Sequence, residues 1–307
     1  MQPPHQLLVT VSLSAISVGF CFYLVKRQIL SISLGLIFIC FGQKNLIFSE
    51  AKKQRFVSIA PSTTEILFSL GLDDEIVGVT TFCNYPSQAK DKEKVGMFSQ
   101  PDIEKILSLK PDMIFATGLE QASIVEKLKQ LGLKAYVSDP SNMQELFISI
   151  KEIGEITSRE KEALGLINQM KAKIEQIGIK VESIPKERRP KVFIEIWYDP
   201  LMTAGKGSFV DELITLAGGI NIAHDTPQAY SCFSAEQVIK RNPDCIILGY
   251  MVKERTFDRV RGRLGWEEIK AVKNNRIYKD IDPDLFLRSG PRLVEGLEEI
   301  YKRLYPK

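Results

Sequence analysis

Histidine is almost absent from this sequence, since His5 and His224 are the only two among 307 residues. If residues 1–51 are a leader, the functional part of the chain has a single histidine. Zinc and manganese sites that depend on several histidines are therefore excluded, and we expect no metal site of the protein's own. A catalytic triad would have to use His224 alone.

Cysteines are also few, and neither sign of charge is in large excess. Outside residues 1–51 the three cysteines, Cys83, Cys232 and Cys245, are an odd number and predict no disulfide framework. Lysine plus arginine number 41 against 38 for aspartate plus glutamate, a net charge of +3. A nucleic-acid-binding protein would concentrate a large basic excess on one face, so this class is excluded.

Motifs of common enzyme classes are missing. Gly205-Lys206-Gly207-Ser208 departs from a phosphate-binding loop, because Pro200 stands where the first glycine is required and Gly207 where serine or threonine is required. No Gly-x-Gly-x-x-Gly follows a predicted strand, and no nucleophile elbow is present. With 44% hydrophobic residues the chain can bury a core, so we expect a folded protein. Because the motifs of these enzyme classes are missing, we do not expect it to be an enzyme.

The first fifty residues differ from the rest. Residues 7–25 and 29–42 carry no charge, and Lys26 and Arg27 stand between them. A basic pair, an apolar run and a polar stretch are the layout of a secretory signal. Ser49-Glu50-Ala51 has small residues at the positions that signal peptidase requires, so cleavage would leave Lys52 as the first residue.

Two other interpretations of this segment stay open. The two apolar runs could form a membrane anchor, or translation could start near Val25 so that residues 1–24 are not made. A lipoprotein signal is less favoured, because bulky Phe38 and Ile39 precede Cys40. In each case the body of the protein is expected to lie outside the cytoplasm.

From residue 55 onward, short apolar strands alternate with helices. The predicted strands lie at 55–60, 76–80, 113–116 and 134–137, and again at 192–197, 245–248 and 277–278. Unbroken apolar strands separated by helices predict a largely parallel sheet that is covered on both faces. We therefore expect an α/β fold, with one lobe over 52–141 and another over 185–307.

The segment between the lobes, 142–184, has no predicted strand. Apolar residues from Leu164 to Val181 recur at spacings of three and four, which predicts one long helix from Ser158 to about Ser183. Residues 157–160 have the spacing of a helix-capping box, and so has Ser62 with Glu65. We expect the long helix to be a brace that joins the lobes.

An internal correspondence relates the two α/β segments. Residues 102–115 and 234–247 align without a gap, and they share a glutamate, an apolar pair, a Pro-Asp pair and an apolar strand. Two similar lobes on either side of the helical brace follow from this repeat.

Several segments resemble one known family. Arg55 to Glu65, Tyr85-Pro86, Val95-Gly96 and Glu104 to Asp112 are together similar to the helical-backbone (class III) substrate-binding proteins of bacterial ABC importers for cobalamin, haem and ferric siderophores. The resemblance covers about residues 54 to 305 and is strongest to the cobalamin-binding members. It implies two Rossmann-like α/β sandwich lobes, joined by one long backbone helix, with a ligand cleft between them.

The resemblance also implies which residues contact the ligand. The contact positions of the cobalamin binders are occupied here by Phe82, Phe98, Met202, Tyr230, Asp284 and Arg288. Phe98 and Tyr230 stand where those proteins have tryptophan. Tyr85 and Phe286 lie on loops that are expected to face the same cleft. Aromatic rings would stack on a flat ligand, whereas Asp284 and Arg288 would hydrogen-bond its edge or form a local ion pair.

Glu104 and Glu236 are the matched glutamates of the internal repeat. In the family, one glutamate of each lobe docks on arginines of the paired permease subunits, which implies this role for both residues. The alternative is a favourable interaction of each carboxylate with a helix dipole.

The resemblance therefore implies an exported carrier that delivers cobalamin or another corrinoid to an ABC permease dimer with its ATPase. We expect a monomer without a cofactor of its own, whose partner is a small-molecule metal chelate. A ferric siderophore or haem is the alternative ligand, and a membrane-tethered ligand sensor is the alternative role.

Overall fold

The computed structural model describes residues 53–250 and 256–306. The predicted leader in 1–51, the cleavage before Lys52 and the interpretation of Cys40 concern residues outside these ranges. Within them, the longest apolar helices fall short of what is needed to cross a membrane.

The first lobe is built on a parallel four-stranded sheet. Its strands have the order β2-β1-β3-β4 and are β1 (Phe56–Ser58), β2 (Ile76–Val79), β3 (Met113–Ala116) and β4 (Ala135–Val137). The helices of this lobe are α1 (Pro61–Ser69), α2 (Ile103–Ser108) and α3 (Ala122–Gln130). Every residue of β1 is buried, because a parallel sheet is covered by helices on both faces.

Two helices lead from the first lobe to the second, α4 (Met143–Thr157) and α5 (Glu160–Glu182). The 23 residues of α5 make a rod about 35 Å long. Ile167, Met170 and Ile177 of α5 belong to one apolar core that includes Phe56 of the first lobe and Leu297 of the second. The helix is therefore anchored in the cores of both lobes.

The start of α5 differs from the prediction. Ser158 adopts a left-handed conformation, with φ 56°, and ends α4, while Arg159 precedes α5 without a side-chain cap. The capping box predicted at 157–160 is therefore wrong. Leu164 is 52% exposed, and the buried position one residue earlier belongs to Ala163, which packs closely on Gly154 of α4.

The second lobe has a mixed six-stranded sheet. Its strands are β5 (Lys191–Tyr198), β6 (Leu201–Ala204), β7 (Ile220–Asn221), β8 (Tyr230–Cys232), β9 (Cys245–Leu248) and β10 (Ile277–Tyr278). The order is β10-β9-β5-β6-β8, with β7 also paired to β5. β6 runs antiparallel to both β5 and β8. The sequence prediction missed β6, β7 and β8.

Six helices complete the second lobe within the described residues. They are α6 (Phe209–Leu216), α7 (Ala235–Arg241), α8 (Thr256–Arg261), α9 (Lys270–Lys273), α10 (Asp284–Leu287) and α11 (Leu293–Leu304). α6 and α11 pack against α5 and close one face of the sheet. A separate apolar cluster around Phe193 and Trp266 fills the other face.

The internal repeat is also a structural repeat. α2 leads into β3, which pairs with β1, just as α7 leads into β9, which pairs with β5. Asp102 and Ser234 cap the two helices by accepting from the amides of Lys105 and Gln237. The turns that follow use left-handed residues at matched positions, Lys110 with φ 48° and Asn242 with φ 47°.

The Pro-Asp pairs of the repeat make the same hydrogen bond in each lobe. The Asp112 carboxylate accepts from the Arg55 amide at 2.9 Å, and the Asp244 carboxylate accepts from the Lys191 amide at 2.9 Å. The amides of Asp112 and Asp244 in turn donate to the carbonyls of Arg55 and Lys191, each at 2.8 Å. Each aspartate thereby fixes the start of its lobe's β1 or β5 strand against the neighbouring β3 or β9 strand.

Replacing Asp112 or Asp244 by alanine should lower the free energy of unfolding by about 1 kcal/mol each, because an amide at a strand start loses its acceptor. The Asp112→Asn and Asp244→Asn variants keep an acceptor oxygen and should lose much less. Urea denaturation measures these differences. Equal losses for the alanine and asparagine variants would contradict the proposed role of the hydrogen bond.

Candidate functional site

A cleft of about 380 Å³ lies where the two lobes meet. It is lined by Pro61, Ser62, Phe82, Phe98, Thr117, Glu120, Leu287, Arg288 and Ser289. The first six follow the carboxyl ends of β1, β2 and β3, which meet at one edge of the sheet because these strands are parallel. Leu287 is the last residue of α10 in the second lobe, and Arg288 and Ser289 come directly after it. Both lobes therefore contribute to one site.

The walls of the cleft are mainly apolar. Phe82, whose side chain is 54% exposed, and Phe98 present phenyl rings from the first lobe, and Leu287 contributes an aliphatic side chain from the second. The hydroxyl groups of Ser62, Thr117 and Ser289 can donate or accept hydrogen bonds. Such a surface suits a ligand with a flat apolar face and a polar edge.

A buried amide, Gln121, positions this wall. Its Nε2 group donates to the carbonyls of Ile59 and Phe98, each at 2.8 Å, and its Oε1 accepts from the Thr117 amide at 3.0 Å. The side chain is fully buried, and all the hydrogen bonds stay within the first lobe. Gln121 thereby ties the Phe98 loop to the ends of β1 and β3. It was missed because nothing in the sequence distinguishes it from a surface glutamine.

The turn before Phe98 depends on a glycine. Gly96 has φ 93°, and a Cβ atom there would lie 2.7 Å from the Asp102 amide nitrogen and 2.8 Å from the Gln100 carbonyl oxygen. Only glycine fits this conformation and this close approach, so the predicted Val95-Gly96 motif serves to aim the loop that carries Phe98.

A charged corner closes one end of the cleft. The Arg288 guanidinium donates to Asn84 at 2.8 Å and to Glu65 at 3.2 Å, and it lies 2.8 Å from the Asp284 carboxylate. Glu65 and Asn84 belong to the first lobe, whereas Arg288 and Asp284 belong to the second. Together with Arg292, the residues Glu65, Asp284 and Arg288 form an interlobe charge cluster.

Glu65 is the centre of the interlobe charge cluster. Its side chain is 2% exposed, and its two oxygens accept from Arg292 Nε at 2.9 Å and Nη2 at 2.7 Å. Burial lowers the pKa of Arg292, but the hydrogen bonds with Glu65 and the negative charges of Glu65, Asp282 and Asp284 together outweigh this and raise the pKa. The ring of Tyr85 covers the Arg292 guanidinium, with 3.9 Å between the guanidinium carbon and the ring centroid.

This pairing corrects the interpretation of Glu65 as half of a capping box. Helix α1 begins with Pro61 after Ala60, which makes no side-chain cap. Glu65 points instead to arginines that lie 223 and 227 residues away in sequence. The capping box predicted from the spacing of Ser62 and Glu65 is therefore wrong. Glu65 instead joins the first lobe to the second through its arginine partners.

The predicted ligand-binding residues fall into four groups. Phe82, Phe98 and Arg288 line the cleft. Asp284 and Tyr85 hold the arginines of the interlobe charge cluster, and burial raises the pKa of Asp284 against the effect of Arg288. Asp284 and Arg288 form the local ion pair that was one of the two alternatives, and hydrogen bonding of either residue to a ligand stays a prediction.

Met202 and Tyr230 lie farther along the sheet of the second lobe. Met202 is on β6 opposite Trp197 and Cys232, and Tyr230 is on β8 opposite Ala204. Tyr230 is 42% exposed, and partial burial raises the pKa of its phenol. Neither residue lines the described cleft.

Phe286 is a wrong prediction. Its ring is fully buried in the main core and packs against Gly249. On a single helical turn, Asp284 and Arg288 point to the cleft wall while Phe286 between them points inward. Cys83 is also buried, where it accepts a hydrogen bond from Thr64, and burial raises the pKa of its thiol.

The remaining lining residues were not predicted. Pro61, Ser62, Thr117, Glu120, Leu287 and Ser289 have no motif of their own. Those of the first lobe could have been found from the rule that parallel strands present their carboxyl ends to a common ligand site. Leu287 and Ser289 adjoin the predicted Arg288.

Comparison with known proteins agrees with this architecture. The model of the periplasmic binding protein family matches residues 57–284. The chain belongs to this family and to its helical-backbone, class III group. It is an extracytoplasmic substrate-binding protein of an ABC transporter and not an enzyme.

Two relatives illustrate the match in sequence. YvrC of Bacillus subtilis, an uncharacterised ABC transporter substrate-binding lipoprotein, is 40% identical over 270 residues, covering 86% of this chain and 83% of YvrC. The vitamin B12-binding protein of Vibrio vulnificus is 29% identical over 261 residues, covering 83% of this chain and 93% of that protein.

Solved structures confirm the two-lobe α/β fold. The vitamin B12-binding protein BtuF of Vibrio cholerae has a TM-score of 0.69 at 28% identity, covering 82% of this chain and 96% of BtuF. A possible iron-binding protein from Staphylococcus epidermidis has a TM-score of 0.73 at 32% identity, covering 83% of this chain and all of that one (100%).

The role of Gln121 can be tested by the Gln121→Leu variant. We expect the free energy of unfolding to fall by about 1–3 kcal/mol, because the Thr117 amide and the carbonyls of Ile59 and Phe98 each lose a hydrogen bond. Urea denaturation measures this loss, and hydrogen exchange should show reduced protection of the Thr117 amide. Gln130→Leu, at the exposed end of α3, is the matched control. Unchanged protection of Thr117 would contradict the assignment.

Proposed function

We propose that this protein binds a corrinoid of the cobalamin class in the interlobe cleft and delivers it to its permease. The observation that carries this proposal is the composition of the cleft. Phenyl rings and an aliphatic side chain form its walls, hydroxyl groups lie at its edge, and the lining cation is already paired. A corrinoid offers a flat macrocycle for stacking and peripheral amides for hydrogen bonds.

The cleft is smaller than a whole corrinoid. A cavity of about 380 Å³ encloses one edge or face of such a ligand, and the rest lies toward the mouth. The half-exposed ring of Phe82 is suited to that position, because it can cover the macrocycle without leaving its own site. The vitamin B12-binding relatives in Vibrio support the choice of this ligand class.

Haem and ferric siderophores are less well matched. Haem iron is held by histidine, cysteine, methionine or tyrosine, and none of these residue types occurs among the described lining residues. The possible iron-binding relative from Staphylococcus epidermidis supports an iron chelate as the second candidate. An anionic chelate would need cations that are free to bind it, and Arg288 already has two carboxylate partners.

The ligand class is tested by titration with cyanocobalamin, haemin and a ferric tricatecholate, followed by calorimetry or visible absorption. Cyanocobalamin should bind most tightly. The Phe82→Ala and Phe98→Ala variants should each bind it about 3- to 10-fold more weakly, which corresponds to one lost ring–ring contact. Met97→Ala removes an exposed neighbour that does not line the cleft and is the control. Tighter binding of haemin or the tricatecholate would refute the corrinoid proposal.

We further propose that Glu104 and Glu236 dock the loaded protein on basic residues of the two permease subunits. Each lies in the first turn of its helix, α2 or α7, at the matched position of the repeat. Hydrogen bonds from its own amide and from the Ser234 hydroxyl lower the pKa of the Glu236 carboxyl. Two equivalent anions on two similar lobes suit a permease made of two subunits.

Charge reversal tests the docking role. The Glu104→Arg, Glu236→Arg double variant should abolish uptake of radiolabelled ligand into cells while its affinity for cyanocobalamin stays unchanged, because neither residue lines the cleft. Glu126→Arg, an exposed site on α3, is the control. Normal uptake by the double variant would rule out docking through these residues.

A further inference from the structure

The guanidinium group of Arg288 is occupied before any ligand arrives. Nη1 donates to Asn84 Oδ1 at 2.8 Å and to Glu65 Oε1 at 3.2 Å. Nη2 lies 2.8 Å from Asp284 Oδ2 and 3.5 Å from the carbonyl oxygen of Phe82. Only 12% of the side chain is exposed, although it lines the cleft. An incoming carboxylate or catecholate would therefore have to displace a partner that is already in place.

The residues around Arg288 provide no unpaired positive charge in the part of the cleft lining that the structure describes. Arg292 is bound by both oxygens of Glu65 and is covered by the ring of Tyr85. A further carboxylate, Glu120, lines the cleft. The carboxylates of Glu65 and Asp284 balance the two guanidinium groups, and Glu120 adds a third carboxylate to the lining of the cleft. An anion that enters the cleft therefore finds no unpaired guanidinium group to offset its loss of hydration, and it meets the additional carboxylate of Glu120.

We propose that Asp284, together with Glu65, determines the charge selectivity of the cleft. By holding Arg288 they leave a site that accepts neutral or cationic metal chelates and rejects chelates with exposed anionic groups. This inference rests on the proposed function only in taking the ligand to be a metal chelate bound in this cleft. It doesn't require that the chelate be a corrinoid.

The two carboxylates differ in what else they do. Glu65 is buried and joins the lobes through Arg292, so its replacement would also disturb the packing of the lobes. Asp284 is 17% exposed, lies on the single turn α10 and has Arg288 as its partner one turn later. Replacing Asp284 therefore changes the charge at Arg288 while the bridge between Glu65 and Arg292 stays intact.

Two pairs of chelates of matched shape test the proposal. One pair is cyanocobalamin and its monocarboxylic acid, in which one peripheral amide is hydrolysed. The other is a neutral ferric trihydroxamate and a trianionic ferric tricatecholate. Affinities of the wild type and of Asp284→Asn are measured by calorimetry at low and high salt. The wild type should prefer the less anionic member of whichever pair it binds.

In the Asp284→Asn variant this preference should shrink by about tenfold, the effect of one nearby charge, and the change should weaken at high salt. Asp282→Asn is the matched control, because Asp282 is 54% exposed and lies 3.9 Å from Arg292 rather than beside Arg288. It should change the preference less than twofold. Equal shifts in the two variants would overturn the proposal.

The wild type alone also decides the question if Asp284→Asn fails to fold, as judged by circular dichroism. Equal or tighter binding of the more anionic member then overturns the proposal, and a clear preference for the less anionic one supports it. If the iron chelates bind with this preference and the corrinoids do not bind, the corrinoid assignment fails and the charge selectivity stands. Failure of all four chelates to bind overturns both.

Discussion

A buried carboxylate, Glu65, holds the two lobes in one arrangement. It lies on α1 of the first lobe and accepts hydrogen bonds from Arg288 and Arg292 of the second. Losing one partner of a buried ion pair leaves an uncompensated charge, which costs about 3–5 kcal/mol. The backbone helix α5 connects the same lobes through the apolar core at a separate place. Because two independent contacts constrain the lobes, the cleft between them is largely preformed.

Hydrogen bonds from neighbouring side chains hold the walls of this preformed cleft in position. Gln121 fixes the Phe98 loop to two strands with a single side-chain amide. Arg288 is held in the same way by groups from both lobes. Side chains that are already ordered lose little entropy when a ligand binds, so more of the contact energy contributes to affinity. This arrangement favours a ligand that is itself rigid.

Much of the fold could be predicted because its determinants are local. The strands of the first lobe are apolar runs, and residues 102–115 recur as a recognisable pattern at 234–247. In the structure the matched carboxylates of Asp112 and Asp244 accept the same hydrogen bond, each from a backbone amide. The site could be predicted only in part. Phe82, Phe98 and Arg288 line the cleft, whereas Phe286 is buried in the core. Phe286 lies two positions from both Asp284 and Arg288, and residues two positions apart on one helical turn point in different directions. The sequence does not reveal where a helix of four residues begins, so it could not predict which of these side chains faces the cleft.

The sequence by itself determined the class of fold, the brace helix, the two similar lobes and the family, since burial periodicity and strand–helix alternation depend on residues close together in the chain. Only the tertiary structure decided which groups meet at the cleft. Glu65 has the local spacing of a capping residue, yet its partners Arg288 and Arg292 lie more than 220 positions away. Such a pair forms because folding brings two loops together, and a buried charge must then find its counterion.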